Sequence, residues 1–136
     1  MRKISFIILA LFIIFSGCAS DKDLLRQRAT EWVKLLSSAN SMSEETAVTS
    51  ISKFLEPSAA NYERAIQFYK DWTDPDTLKL LDSSIDDIII SDDKEHATVR
   101  LGLVSEKTDG TKQINTQLTF WKKVNGQWYR TLTPNL

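Results

Sequence analysis

Two dipeptides, Asp109-Gly110 and Asn125-Gly126, constrain this 136-residue chain more than any other feature. Both pairs tolerate the positive φ angles of a type I′ turn, so each predicts an antiparallel hairpin. The runs around them have the two-residue period of strands. Ala97, Val99, Leu101 and Leu103 alternate with His96, Thr98, Arg100 and Gly102, which predicts one face on a core and one facing away from it. Upstream, Ile85 to Ile90 is short and rich in β-branched residues, and it ends at the turn-forming Ser91-Asp92-Asp93-Lys94. A long strand is expected from about Lys112 to Val124 and a final one from Gln127 to Thr133.

The first half has a different period. Leu25, Ala29, Trp32, Val33 and Leu36 recur at the spacing of one buried helical face. Ser41-Met42-Ser43-Glu44 has the pattern of a capping box, introducing a second stripe of Val48, Ile51 and Leu55. Pro57 interrupts that stripe, since proline has no amide hydrogen to give a helix interior. A third helix carries Tyr62, Ala65, Ile66 and Tyr69 on one face and Trp72 near its end. Asp74-Pro75 reads as a cap followed by a first-turn proline, predicting a short helix to about Leu81. Helices first and strands afterwards argue an α+β fold, with N-terminal helices packed on a C-terminal antiparallel sheet.

The N-terminus has another task. Arg2 and Lys3 precede an apolar run from Ile4 to Phe15 that only Ser5 interrupts. A basic start, a short apolar stretch and small residues form the layout of a secretory signal. Twelve helical residues cover about 18 Å, short of the ~30 Å hydrocarbon core of a bilayer. Ser16-Gly17-Cys18 closes the segment, and here the sequence resembles the lipobox of bacterial lipoproteins, with Phe15 where that family usually has Leu. The resemblance implies a diacylglyceryl group on the Cys18 sulfur, cleavage just before Cys18 and acylation of the new amine. A plain secretory signal would instead leave the chain's single cysteine as an unpaired thiol in an oxidising compartment.

The expected organisation is a signal peptide over 1–17, a lipidated cysteine and short tether over 18–23, and one α+β domain over 24–136. The five residues between Cys18 and Leu24 reach less than about 20 Å, which holds the domain close to its membrane. Ala19 after the cysteine, by resemblance to Gram-negative sorting, favours the periplasmic face of the outer membrane where the host has one. Cleavage removes Arg2 and Lys3 but no acid, so seventeen basic against eighteen acidic residues become fifteen against eighteen, a formal charge of −3. A mildly acidic domain argues against nucleic acid, which needs a basic stripe.

A second resemblance concerns the domain. Asp93-Lys94-Glu95-His96-Ala97-Thr98-Val99 looks like the turn-and-strand entry of small nuclear-transport-factor-two-like proteins. Phe120-Trp121-Lys122-Lys123-Val124-Asn125-Gly126-Gln127-Trp128-Tyr129 is similar to their closing hairpin, a turn glycine followed by tryptophan. The resemblance spans roughly Leu24 to Thr133. It implies a curved, cone-like sheet wrapped around helices, often with a pocket and often dimeric. Enzymes of that group use pocket Asp, His or Tyr residues, in motifs this chain does not show.

Residues able to carry chemistry are few. His96 is the single histidine, and its parity places it opposite the apolar face. With Cys18 acylated, neither a zinc site nor a Cys/His nucleophile is expected. Asp74, Asp76, Asp82, Asp86, Asp87, Asp92, Asp93 and Glu95 cluster, but the calcium-loop spacing with its central glycine is missing; carboxylates at turns and on an exposed strand face explain most of the cluster, and weak pairing across the sheet with Arg100, Lys112, Lys122 and Lys123 is the alternative. No metal and no cofactor is expected.

The closing hairpin is more informative. A two-residue turn at Asn125-Gly126 sets Val124 opposite Gln127, Lys123 opposite Trp128 and Trp121 opposite Arg130. One face then carries Ile114, Leu118, Phe120, Val124 and Tyr129. The other carries Trp121, Lys123, Trp128, Arg130 and Leu132, with two cation–π pairs within it, and it requires a cover. A second copy of the chain, an envelope protein, a glycan or the N-terminal helix each fits that role. Trp121, Lys123, Trp128 and Arg130 are accordingly the candidate ligand or partner surface. The expected function is a non-enzymatic, membrane-anchored binding or adaptor domain of the cell envelope. Its rivals are a small dehydratase- or isomerase-like enzyme using Tyr62, Tyr69 or an inward Asp, and a structural envelope component.

Overall fold

The computed structural model describes residues 20–74 and 79–132. Residues 1–19, on which the expected signal segment and Cys18 fall, residues 75–78 and the end of the chain from Thr133 lie outside them. Helix α1 spans Asp21–Ser38, α2 Glu44–Ser52 and α3 Asn61–Trp72, with a 3₁₀ turn at Ala39–Ser41 after α1. Strands β1 (Lys79–Ile90), β2 (His96–Glu106), β3 (Lys112–Val124) and β4 (Gln127–Thr131) follow. They form one antiparallel sheet in the order β1-β2-β3-β4. The α+β arrangement expected from the change of period is therefore present. Among the described residues, no helix is long and apolar enough to cross a membrane.

Local chemistry starts the helices where it can. The Ser20 hydroxyl accepts from the Asp23 amide at 3.1 Å, and Asp21 and Asp23 lie in the first turn of α1, where negative charge complements the helix dipole. Part of the expected 18–23 tether is thus already helical from Asp21. The buried face of α1 contains all five residues read from the periodicity, together with Leu35. Helix α2 begins differently from expectation. Ser43 caps it, accepting from the Thr46 amide at 3.2 Å, because Ser43 has the extended backbone a cap needs while Ser41 is used in the 3₁₀ turn.

Two further expectations need correction. The helix expected from Asp74 to about Leu81 falls partly outside the described residues, and its last three positions, Lys79 to Leu81, belong to β1. Pairing with β2, from Lys79 opposite Glu106 onwards, satisfies that backbone. Register shifts between Leu80 and Asp82 and between Ile85 and Asp87 break the alternation, so this half of β1 has no two-residue period to read. The β2–β3 connection is also longer than a two-residue turn. Glu106 pairs with Lys112, and the Lys107 amide donates to the Thr111 carbonyl across a five-residue loop in which only Gly110 has positive φ.

The β3–β4 hairpin has the expected register, with Asn125 at φ 51° and Gly126 at φ 79°. Ala97 lies opposite Trp121, so the tryptophan face is the same face as Ala97, Val99 and Leu101. The helices cover it. Trp32 of α1, 1 % exposed, sits at the centre of this layer with its ring centroid 5.3 Å from that of Phe54 and 5.2 Å from that of Phe68. The Trp72 indole donates to the Leu36 carbonyl at 3.0 Å and docks α3 on α1.

Candidate functional site

The four residues expected as a ligand or partner surface do not form one. Trp121 and Trp128 are 1 % and 2 % exposed, because the helices supply the cover their face requires. The Trp121 indole donates to the Thr119 hydroxyl, which donates to the Val99 carbonyl, each at 3.0 Å. Lys123 is half-buried and reaches Asp21 at 2.6 Å, tying the first turn of α1 to the sheet. Its ammonium lies 5.9 Å from the Trp128 ring centroid, the one expected cation–π pair that forms. Arg130 stacks instead on Trp32, at 5.7 Å.

Arg130 is the unusual member of the set. Its position on β4, opposite Trp121, turns it toward the helices, and its backbone amide donates to the Phe54 carbonyl at 2.6 Å. The side chain is 8 % exposed. One terminal nitrogen, Nη1, donates to the carbonyls of Phe120, at 3.3 Å, and of Thr131. The Nε is buried and has no hydrogen-bond partner. None of the ion pairs among the described residues includes Arg130. Buried charges are ordinarily paired, since an uncompensated one costs several kcal/mol. Burial lowers its pKa to about 10, which leaves it cationic at neutral pH.

This cation lies in the wall of a groove of about 570 Å³ between α3 and the end of the sheet, within the size range of small-molecule sites. Leu55, Phe68 and Leu132 supply its apolar part. Arg64 and Gln67 enter from α3 and Gln117 from β3. Two acids also line it. Glu56 is answered by Lys122 at 3.2 Å, and Asp71 accepts from the Gln67 amide at 2.9 Å.

The other candidates lie elsewhere. Tyr62 is exposed and Tyr69 packs partly into the core; neither lines the groove. His96 sits beyond the turn on the face away from the helices, as its parity predicts, with Nδ1 2.9 Å from Asp93. Asp93 also accepts from the Ser91 hydroxyl and from the Glu95 amide. These bonds, that from Ser91 foremost, hold its carboxyl well below the usual range. They make a well-ordered turn. Of the basic residues expected to pair with the acidic segment, Arg100 does so, meeting Asp87 at 3.2 Å. Lys122 and Lys123 are drawn to Glu56 and Asp21 instead. Among the described residues, no three His, Cys, Asp or Glu side chains converge as a metal site.

Sequence reasoning placed Arg130 and Leu132 on one face but missed Arg64, Gln67 and Gln117, which join them only when α3 crosses the end of the sheet. The signal that could have found the groove was an arginine at an inward position of a strand whose other inward residue is a tryptophan.

The chain matches no protein-family model and no curated protein. Among solved structures it is similar to a SEC-C motif containing protein of Rhodopseudomonas palustris, RPA3114, with a TM-score of 0.52 and 13 % identity over 86 % of this chain and 81 % of that one. The intermembrane space region of the chloroplast protein ARC6 aligns at a TM-score of 0.47 and 15 % identity, over 79 % and 89 % of the two chains. The likeness to RPA3114 is one of fold, an α+β arrangement of helices on an antiparallel sheet.

Proposed function

We propose that this chain is a lipid-anchored binding domain of the cell envelope, non-enzymatic, which takes its ligand in the Arg130 groove. The observation that carries the binding role is a buried guanidinium without an acid partner, beside an accessible groove of about 570 Å³. The anchor rests on the signal layout and on Ser16-Gly17-Cys18. Acyl chains on Cys18 favour the bilayer by about 0.8 kcal/mol per buried methylene. With α1 beginning at Asp21, the domain hangs close below its membrane, at the outer membrane in a Gram-negative host. The helices-on-sheet architecture is compatible with the nuclear-transport-factor-two-like reading, in which the groove takes the place of the cone's mouth.

Two measurements test the reading separately. Labelled palmitate fed to cells should enter the wild type and not Cys18→Ala; equal labelling would remove the anchor. Native mass spectrometry of the protein extracted from membranes should show a small-molecule adduct that Gln67→Trp abolishes, since Gln67 is exposed on α3 and an indole there occupies the groove. An identical adduct in both forms, or none in the wild type, refutes the groove as the binding site.

A further inference from the structure

We infer that the groove selects a small organic monocarboxylate with an apolar body, the carboxylate meeting Arg130 and the body lying on Leu55, Phe68 and Leu132. The inference rests on the binding role proposed above and specifies its ligand. Three observations lead to it. First, Arg130 lines the groove with Nη2 making no hydrogen bond among the described residues, while Nη1 is engaged and Nε, also without a partner, is closed off. A guanidinium nitrogen donates a strong, charge-assisted hydrogen bond to a carboxylate oxygen. Second, the surroundings limit how much negative charge can enter. Glu56, though paired with Lys122, and Asp71 line the same groove, and their negative charge opposes a phosphate dianion more than a monoanion. Third, the walls combine apolar side chains with neutral amides, from Gln67 and Gln117, and with Arg64. That lining suits a molecule with one charged end and an uncharged remainder.

The ionised carboxylate would give Arg130 the counter-charge that none of the ion pairs among the described residues supplies. It accepts hydrogen bonds from Arg130 without proton transfer, because the arginine's pKa near 10 lies far above that of any carboxylic acid. Arg64, exposed on α3, adds attraction at the rim that salt weakens. Arg130, out of solvent, is screened much less.

The test is calorimetric titration of the detergent-solubilised full chain with hexanoate, using hexanol, hexylammonium and hexyl phosphate as matched probes. Hexanoate should bind saturably, more tightly than all three. Arg130→Met should weaken it by about 10- to 150-fold, the range for losing hydrogen bonds to a charged group. Arg64→Gln should weaken it less, and mainly at low salt. Gln67→Trp, changed at an exposed position, should abolish binding, and so provides a test independent of whether Arg130→Met folds. Equal affinity for hexanol overturns the role of the charge, and unchanged affinity in Arg130→Met overturns the residue assigned. Tighter binding of hexyl phosphate overturns the carboxylate while leaving a groove that binds anions. Failure of every probe, together with absence of a native adduct, overturns the binding role itself.

Discussion

Replacing Arg130 by methionine should leave stability close to that of the wild type, an unusual outcome for a residue 8 % exposed. Lowering the guanidinium pKa from 12.5 to about 10 corresponds to roughly 3 kcal/mol against the charged form, at about 1.4 kcal/mol per tenfold change in proton affinity. Removing the charge relieves that cost. Against it stand the bonds from Nη1 to the Phe120 and Thr131 carbonyls, each contributing about 1.5 kcal/mol, the lower end of the range for a charged donor. Phe120 would keep a partner, because the Thr131 hydroxyl also donates to its carbonyl at 3.0 Å. Methionine preserves much of the apolar stem and can meet the Trp32 ring that the guanidinium covers at 5.7 Å. The two nearly cancel, so the variant should lie within about 1 kcal/mol of the wild type, whereas truncating a tryptophan in the same core typically costs about 3–5 kcal/mol. Urea unfolding monitored by tryptophan fluorescence measures it, as a nearly unchanged midpoint at unchanged slope. A loss of more than about 2 kcal/mol would refute the reasoning, because it would mean that the cation has a partner and stabilises the fold.

Other expectations follow from single contacts. Ser43→Ala should lower stability by about 1 kcal/mol and Ser41→Ala by much less, because Ser43 caps α2; similar losses at both sites in urea unfolding would return the cap to Ser41. For Asp93 the sign follows from its depressed folded pKa. Its contribution is complete above the unfolded value of about 3.8 and declines as pH falls through that value toward the folded one. The stability difference between wild type and Asp93→Asn should therefore be greatest near pH 6 and shrink below about pH 4, and a difference independent of pH would contradict the assignment. Ile114 and Leu118, 82 % and 52 % exposed on the face away from the helices, should each accept lysine within about 0.5 kcal/mol. A loss above about 2 kcal/mol in unfolding would show that a second copy covers this face.

Legibility differed from element to element for identifiable reasons. The stripe of α1 and the bounds of β3 were readable because side chains repeat with the period of the backbone that carries them. The β3–β4 register was readable because Asn125-Gly126 closes it within two residues. The start of β1 was not, since two bulges shift its parity and its partners lie about 25 residues away. The groove was half legible. Arg130 stood out, but what surrounds it comes from α3 and β3, and no local rule brings those residues to one place.

The sequence by itself determined most of the element types, the order of helices before strands and the tight closing turn. Local backbone preference and short-range periodicity are sufficient for these. Only the tertiary structure decided which sheet face the helices cover, and so turned Trp121 and Trp128 from a proposed docking surface into core. It also left Arg130 buried without an acid, because charge compensation depends on which side chains meet in space, and Glu56 is engaged by Lys122.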